Sequence, residues 1–282
     1  MEIAIVTGAS SGLGREYAKL LDQEGLDEIW LVARRRPQLE TLAGELTTKS
    51  RIYALDLMDR ASLLTLQQAL AACQVTVRYL IYAAGFGKMG PVAAVPAGVL
   101  ENMIDLNDRA AVSLVQAVLP YCHAGSHLVQ ICSCAAFLPI PELAVYAATK
   151  AFLLRYSRAL AVELAPQGIL VSAVCPYWVK DTGFIAMASQ TDKGRLFRHF
   201  PLAGTKEAIA RRSFQAVKKG RVVITPDVVS TLLRFLSGWT PPIDSLVRQP
   251  LAFSAWSRSP MMSSGSSRPM LKRMKPLRNF SG

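Results

Sequence analysis

The sequence predicts an α/β fold, a single domain built on a doubly wound, Rossmann-like parallel sheet. Three observations predict it. Short apolar runs with the look of buried strands alternate with longer runs of helical spacing from residue 1 to about residue 225, the pattern of strands joined by covering helices. The first of these runs ends in a glycine-rich turn that opens the first helix. The chain has 282 residues, 51% of them apolar and 18% charged, enough for one large core and too apolar for a disordered chain. Right-handed crossovers then wind the sheet both ways from its middle.

The elements follow in order. MEIAIVTG is a first strand ending at Gly8, and GREYAKLLDQEG a first helix closing at Gly25. EIWLVARR is a second strand, and PQLETLAGELT a helix with Pro37 in its first turn. RIYALDL and RASLLTLQQALAAC repeat the unit, and VRYLIYAAG is a fourth strand. One helix is expected over Val99–Pro120, then the strand SHLVQICS. A long helix runs from near Tyr146 to just before Pro166, and GILVSAVCP is a sixth strand. Residues 177–205 read as a long excursion of the kind that carries substrate loops. KEAIARRSFQAVKKG is a further helix and RVVITP a last strand. Residues 228–247 read as an amphipathic helix lying against the body or on a membrane surface. Residues 1–247 form the expected domain. Residues 248–282, rich in Ser, Arg, Met and Pro, read as a poorly ordered tail.

The formal net charge is +12. Seven Lys/Arg and one Asp between Asp244 and Gly282 give +6, half of the excess, in the last 39 residues. A basic total suits nucleic acid, a membrane surface or a phosphorylated ligand. No nucleic-acid motif accompanies it, so no nucleic-acid partner is expected. The five cysteines, Cys73, Cys122, Cys132, Cys134 and Cys175, are odd in number and fit no disulfide scaffold. No signal-peptide run precedes the first strand, and no apolar run has the length of a membrane span. A cytoplasmic protein without stable membrane insertion is expected.

The turn TGASSGLG, residues 7–14, carries Gly8, Gly12 and Gly14. Missing side chains there permit a tight turn and close backbone approach to a pyrophosphate, which the helix N-terminus attracts. The spacing is T-G-x-x-x-G-x-G, and it resembles that of the short-chain dehydrogenase/reductase family over roughly residues 1–225. The resemblance implies a nicotinamide cofactor held by Gly8, Ser10, Gly12, Leu13 and Gly14. At the end of the second strand an acidic residue would bond the ribose of NAD. Ala33 stands there instead, followed by Arg34 and Arg35. A guanidinium pairs with a 2′-phosphate, so NADP(H) is the expected cofactor, with Arg34 the better placed of the two. Asp56 matches the family's adenine-binding acid, beside Leu57, with a turn or cap as the plain alternative. The family's N-N-A-G is Tyr82-Ala83-Ala84-Gly85 here. That departure leaves Ala84 and Gly85 beside the cofactor ribose but removes two supporting asparagines. After the sixth strand, Pro176 and Val179 match the family's P-G-x-V-x-T. Tyr177 replaces its glycine, and Thr182 is displaced by one residue.

Tyr146 and Lys150 lie four apart at the start of a helix and so share a face. Ser133 lies thirteen residues before Tyr146, the interval the family uses. The resemblance implies Tyr146 as acid/base, Ser133 bonding the substrate oxygen and Lys150 lowering the tyrosine pKa while holding the nicotinamide ribose. It also implies Asn107 as anchor of a relay water. Cys132 and Cys134, at strand spacing, would point away from Ser133 and pack. The three histidines are scattered, so no metal site is expected.

Phe86, Phe137, Leu138, Cys134, Tyr177, Trp178, Phe184, Ile185 and Met187 are candidates for an apolar pocket. The expected activity is reversible NADPH-dependent reduction of a hydrophobic ketone or aldehyde to an alcohol. The alternative is a catalytically silent NADP(H) sensor or scaffold on the same fold. The resemblance also implies a homodimer or homotetramer.

Overall fold

The computed structural model describes residues 1–188 and 202–237. The basic tail, the middle of the expected substrate loop and Trp239 lie outside the described residues, as does the side chain of Ile185.

Seven strands form one sheet. They are β1 (Glu2–Thr7), β2 (Glu28–Ala33), β3 (Ser50–Ala54), β4 (Thr76–Tyr82), β5 (His127–Ile131), β6 (Leu170–Val174) and β9 (Val223–Ile224). Their order is β3-β2-β1-β4-β5-β6-β9, with every pair parallel. The winding reverses between β1 and β4. That leaves a crevice at the carboxyl ends of these strands, where ligands of such sheets bind.

Side chains of each strand alternate between two cores, as the pleat requires. Ile3 and Ile5 of β1, Trp30 and Val32 of β2, and Leu80 and Tyr82 of β4 face one side. There they meet α3 (Arg60–Ala72), α5 (Ala110–Val118) and α6 (Ala144–Leu164). Ala4, Val6, Ile29, Leu31 and Ile81 face the other. There lie α1 (Gly12–Leu21), α2 (Arg36–Glu45) and α8 (Lys206–Lys218). A fully buried leucine or isoleucine contributes roughly 1.5–3 kcal/mol, so these two layers hold the sheet. Local chemistry sets the helix starts. Pro37 sits in the first turn of α2, Asp59 accepts from Ala61 N at 3.0 Å to cap α3, and Thr205 caps α8.

Three elements differ from the sequence reading. The helix expected over Val99–Pro120 is α4 (Ala97–Ile104), a π turn over Asp105–Arg109, and α5, closed by a 3₁₀ turn at Leu119–Tyr121. β5 stops at Ile131, and a 3₁₀ turn over Cys134–Ala136 follows, so Cys132-Ser133-Cys134 is not strand. The described part of the excursion holds the strands β7 (Val179–Lys180) and β8 (Gly204–Thr205), which pair parallel, and α7 (Gly183–Ala188). α9 (Val228–Leu236) buries Ser230 but exposes Val228, Leu232, Phe235 and Leu236. Among the described residues no helix is long and apolar enough to cross a membrane.

Candidate active site

The crevice is a cavity of about 640 Å³ whose lining runs from the β1–α1 turn to Tyr146 and α7. At its first end the backbone dominates. Gly8 and Gly12 have φ of +66° and +56°, a region that side chains disfavour. A Cβ on Gly8 would stand 2.8 Å from the Ala83 carbonyl, and one on Gly14 2.5 Å from the Gly8 oxygen. The turn can therefore close on β4, and its backbone can close on a ligand, only without side chains. Ser11, in extended conformation at the N-cap of α1, makes no side-chain cap bond.

Arg35 crosses to this turn. Its Nη2 donates to Ser10 Oγ at 3.0 Å and Ser11 Oγ at 2.9 Å. Arg34 lies the other way, its Nη1 3.7 Å from Asp56 Oδ2, with its side chain 63% exposed. Both arginines line the cavity, and Arg35 is the one bonded to the glycine turn. Asp56 also accepts from Met58 N at 3.0 Å, a turn bond of the plain kind. Leu13, Asp56 and Leu57 line the cavity as well.

The missing asparagines of β4 have substitutes. Thr7 Oγ1 accepts from both Ala83 N and Ala84 N at 3.0 Å. Tyr82 donates its hydroxyl to Leu106 O at 2.6 Å, tying β4 to the π turn. Beyond it, Gly85 leaves room for Asn107. A Cβ there would lie 2.8 Å from Asn107 Oδ1 and 3.5 Å from Lys150 Nζ.

At the reacting end side chains dominate. Asn107, fully buried, accepts from Phe86 N and donates to Phe86 O and Thr149 Oγ1, each at 3.0 Å. Thr149 in turn donates to Tyr146 O at 2.8 Å. Asn107 is thereby locked between the π turn and α6, and it does not itself line the cavity. Lys150, 5% exposed, donates from Nζ to Ile131 O at 2.9 Å and stands 5.7 Å from the Tyr146 ring centroid. Ser133 accepts from Ala135 N at 3.1 Å, and its side chain acts on the Tyr146 phenol in the direction that eases loss of its proton. Ser133, Tyr146 and Lys150 all line the cavity.

Burial sets the proton affinities. It pushes the Tyr146 phenol well above its ordinary value, against the smaller lowering by Ser133. It pulls Lys150 below the usual lysine range, which Cys132 and then Asp108 partly oppose. The sequence reading had Lys150 lowering Tyr146. In the protein alone desolvation outweighs that, and Tyr146 keeps its proton at neutral pH.

Pro176, Val179 and Thr182 line the cavity beside Tyr177 and Trp178. Thr182 is displaced in sequence, but Asp181 before it adopts φ +63° and absorbs the extra residue. The Thr182 methyl then lies 3.6 Å from where a Cβ on Gly12 would be. Leu138, Cys134, Phe184 and Met187 also line the cavity. Two pocket candidates do not. Phe86 packs with the cluster of Met89, Met103 and Tyr146, and Phe137 with the core on the α5/α6 side. Cys134 lines the cavity because β5 ends before it, as its place among the pocket candidates anticipates, while Cys132 packs in the core on the α5/α6 side. All five cysteines are free, and among the described residues no three His, Cys, Asp or Glu gather as a metal site.

Sequence reasoning passed over Gly87 and Thr149. A Cβ on Gly87 would stand 2.9 Å from the Tyr146 ring and 3.0 Å from Phe184. Tyr146 and Phe184, with centroids 5.4 Å apart, need that space. The second glycine in Gly85-Phe86-Gly87 is the one local signal that was available.

The short chain dehydrogenase family model matches residues 2–193. An oxidoreductase of Staphylococcus epidermidis, described as uncharacterized, is 31% identical over 195 residues, 68% of this chain and 83% of that protein. A very-long-chain 3-oxoacyl-CoA reductase of Lodderomyces elongisporus is 36% identical over 198 residues, 62% of this chain and 54% of that one. A short-chain dehydrogenase from Sphingobium yanoikuyae, solved in complex with NADPH, superposes with a TM-score of 0.73 at 27% identity, covering 89% of this chain and 98% of that one. With the model match spanning more than half of its residues, the chain belongs to the short-chain dehydrogenase/reductase family and is an oxidoreductase of that type.

Proposed function

We propose that this protein reduces a hydrophobic ketone or aldehyde to the alcohol with NADPH, in a reversible reaction. The observation that carries the reading is the Tyr146 hydroxyl. Burial keeps it protonated, and it opens onto the same cavity as Ser133, Lys150 and the Arg35 guanidinium.

The residues present fit the cofactor. Gly8, Gly14 and Gly85 leave cradles that a Cβ would fill, and the α1 N-terminus faces them. Arg35, with Ser10 and Ser11, supplies charge and donors for a 2′-phosphate. When bound, NADPH supplies the hydride. Ser133 would hold the carbonyl oxygen, and Tyr146 would donate its proton to that oxygen as negative charge develops. Lys150 would hold the nicotinamide ribose, and its ammonium would stabilise the tyrosinate that proton transfer leaves. Asn107 fixes the backbone around Phe86 and, through Thr149, the first turn of α6. Leu138, Tyr177, Trp178 and Phe184 would exclude water and favour an apolar substrate.

Tyr146→Phe is the test. Turnover over a panel of hydrophobic ketones and aldehydes should fall by about 10²–10⁴, while NADPH affinity, read by fluorescence titration, stays unchanged. Normal turnover in that variant would exclude Tyr146 as the acid. NADPH binding by the parent protein with no turnover across the panel would favour a cofactor sensor instead.

A further inference from the structure

Asp108 follows Asn107 in the π turn, and the chemistry above has no part for it. Its carboxyl is buried, with the residue 8% exposed. Its Oδ1 has no hydrogen-bond partner among the described residues. The adjacent cation is committed elsewhere: Arg109 donates to Asp105 Oδ1 and Met58 O, each at 2.6 Å. Among the described residues, two ionisable groups on neighbouring elements interact with Asp108 through charge. From β4 comes the Tyr82 phenol, already donating to Leu106 O. From α6 comes the Lys150 ammonium. Lys150 itself is faced by Asp108 and by the Cys132 and Cys175 thiols at the ends of β5 and β6.

A buried carboxylate lacking a donor is unfavourable unless it is neutral or a cation lies near. The same holds in reverse for a buried ammonium whose described hydrogen bond goes to a carbonyl. Burial pushes the Asp108 carboxyl up to about 7, against the pull of Lys150. We propose that Asp108 is a positioning residue for the active site, an internal counter-charge that keeps Lys150 an ammonium on the alkaline side of neutrality. This rests on the role given to Lys150 above. The sign is fixed by the two titrations. Below neutrality Asp108 is protonated and Lys150 is charged without help. Above it the ionised carboxylate opposes loss of the Lys150 proton. Its effect is therefore confined to alkaline pH.

Asp108→Asn keeps the shape and removes the charge. NADPH affinity of the variant, titrated by fluorescence across neutral and alkaline pH, should begin its alkaline decline about half to one pH unit below that of the parent protein. Thermal melting of the cofactor-free protein gives a readout independent of binding. A carboxyl whose folded pKa is raised lowers stability progressively as pH climbs from the ordinary carboxylate range to about 7. The melting advantage of Asp108→Asn should therefore be small in acid and grow to several degrees above neutrality. An alkaline limb that coincides with that of the parent protein overturns the proposal, as does a melting difference that ignores pH. Asp108→Ser makes the same two comparisons should the asparagine variant not fold. Failure of the functional reading looks different. The parent protein would then not bind NADPH, or Tyr146→Phe would turn over normally, while the melting curves still report on Asp108.

Discussion

At Gly8, Gly12 and Gly14 the cleft is shaped by side chains that are missing, whereas at Tyr146 and Lys150 it is shaped by side chains that are buried. The phosphate end uses backbone groups and exposed arginines. The reacting end takes titratable groups out of water and thereby moves their proton affinities, Tyr146 up and Lys150 down. The first end is sensitive to added volume. The second is sensitive to changed protonation. A methyl group should ruin one, and a single proton should ruin the other.

The largest effect that sharpens this contrast is expected at Gly14. In Gly14→Ala the new Cβ meets Gly8 and Thr7 backbone atoms at 2.5–2.9 Å, and they cannot yield without moving β1. A loss of about 3 kcal/mol is expected by denaturant unfolding. Gly25→Ala, at a φ of +69° that Gly14 does not share but with nothing within 4 Å, should cost only about 1 kcal/mol. Equal losses at the two sites would break the crowding argument. Next in size is the arginine pair. Arg35→Leu should lower the preference for NADPH over NADH by about ten- to a hundredfold, and Arg34→Leu by much less, measured as the ratio of dissociation constants. The reverse order would return the phosphate site to Arg34. The smallest effect marks a glycine that serves no site. Gly44, exposed in α2 with open space around it, should stabilise the protein by about 0.5 kcal/mol when replaced by Ala, seen as a small rise in Tm.

The sheet was legible because its signals are local and repeated. Each strand is a short apolar run, and each helix start carries its own cap or glycine. Ser133, Tyr146 and Lys150 were legible for a related reason, since a fixed interval joins the end of a strand to one helical face. What stayed hidden depends on phase and on distant partners. Arg34 and Arg35 are neighbours that leave β2 in opposite directions, and composition does not say which turns toward Ser10. The π turn adds one residue to a helical repeat, which apolar spacing does not register. Cys134 is a pocket candidate by sequence, but the reason it reaches the cavity, the end of β5 at Ile131, is not marked by the apolar run. Asp108 reads as any exposed acid on a helix until the turn buries it.

Thr7 joins the two ends that the comparison separates. Its single hydroxyl receives the amides of Ala83 and Ala84. It belongs to the strand that feeds the glycine turn, while the amides lead through Gly85 to the backbone that Asn107 clasps. One oxygen atom thus ties the strand of the phosphate turn to the backbone at the floor of the reacting end. A shared anchor of this kind predicts slow exchange of the Ala83 and Ala84 amide hydrogens.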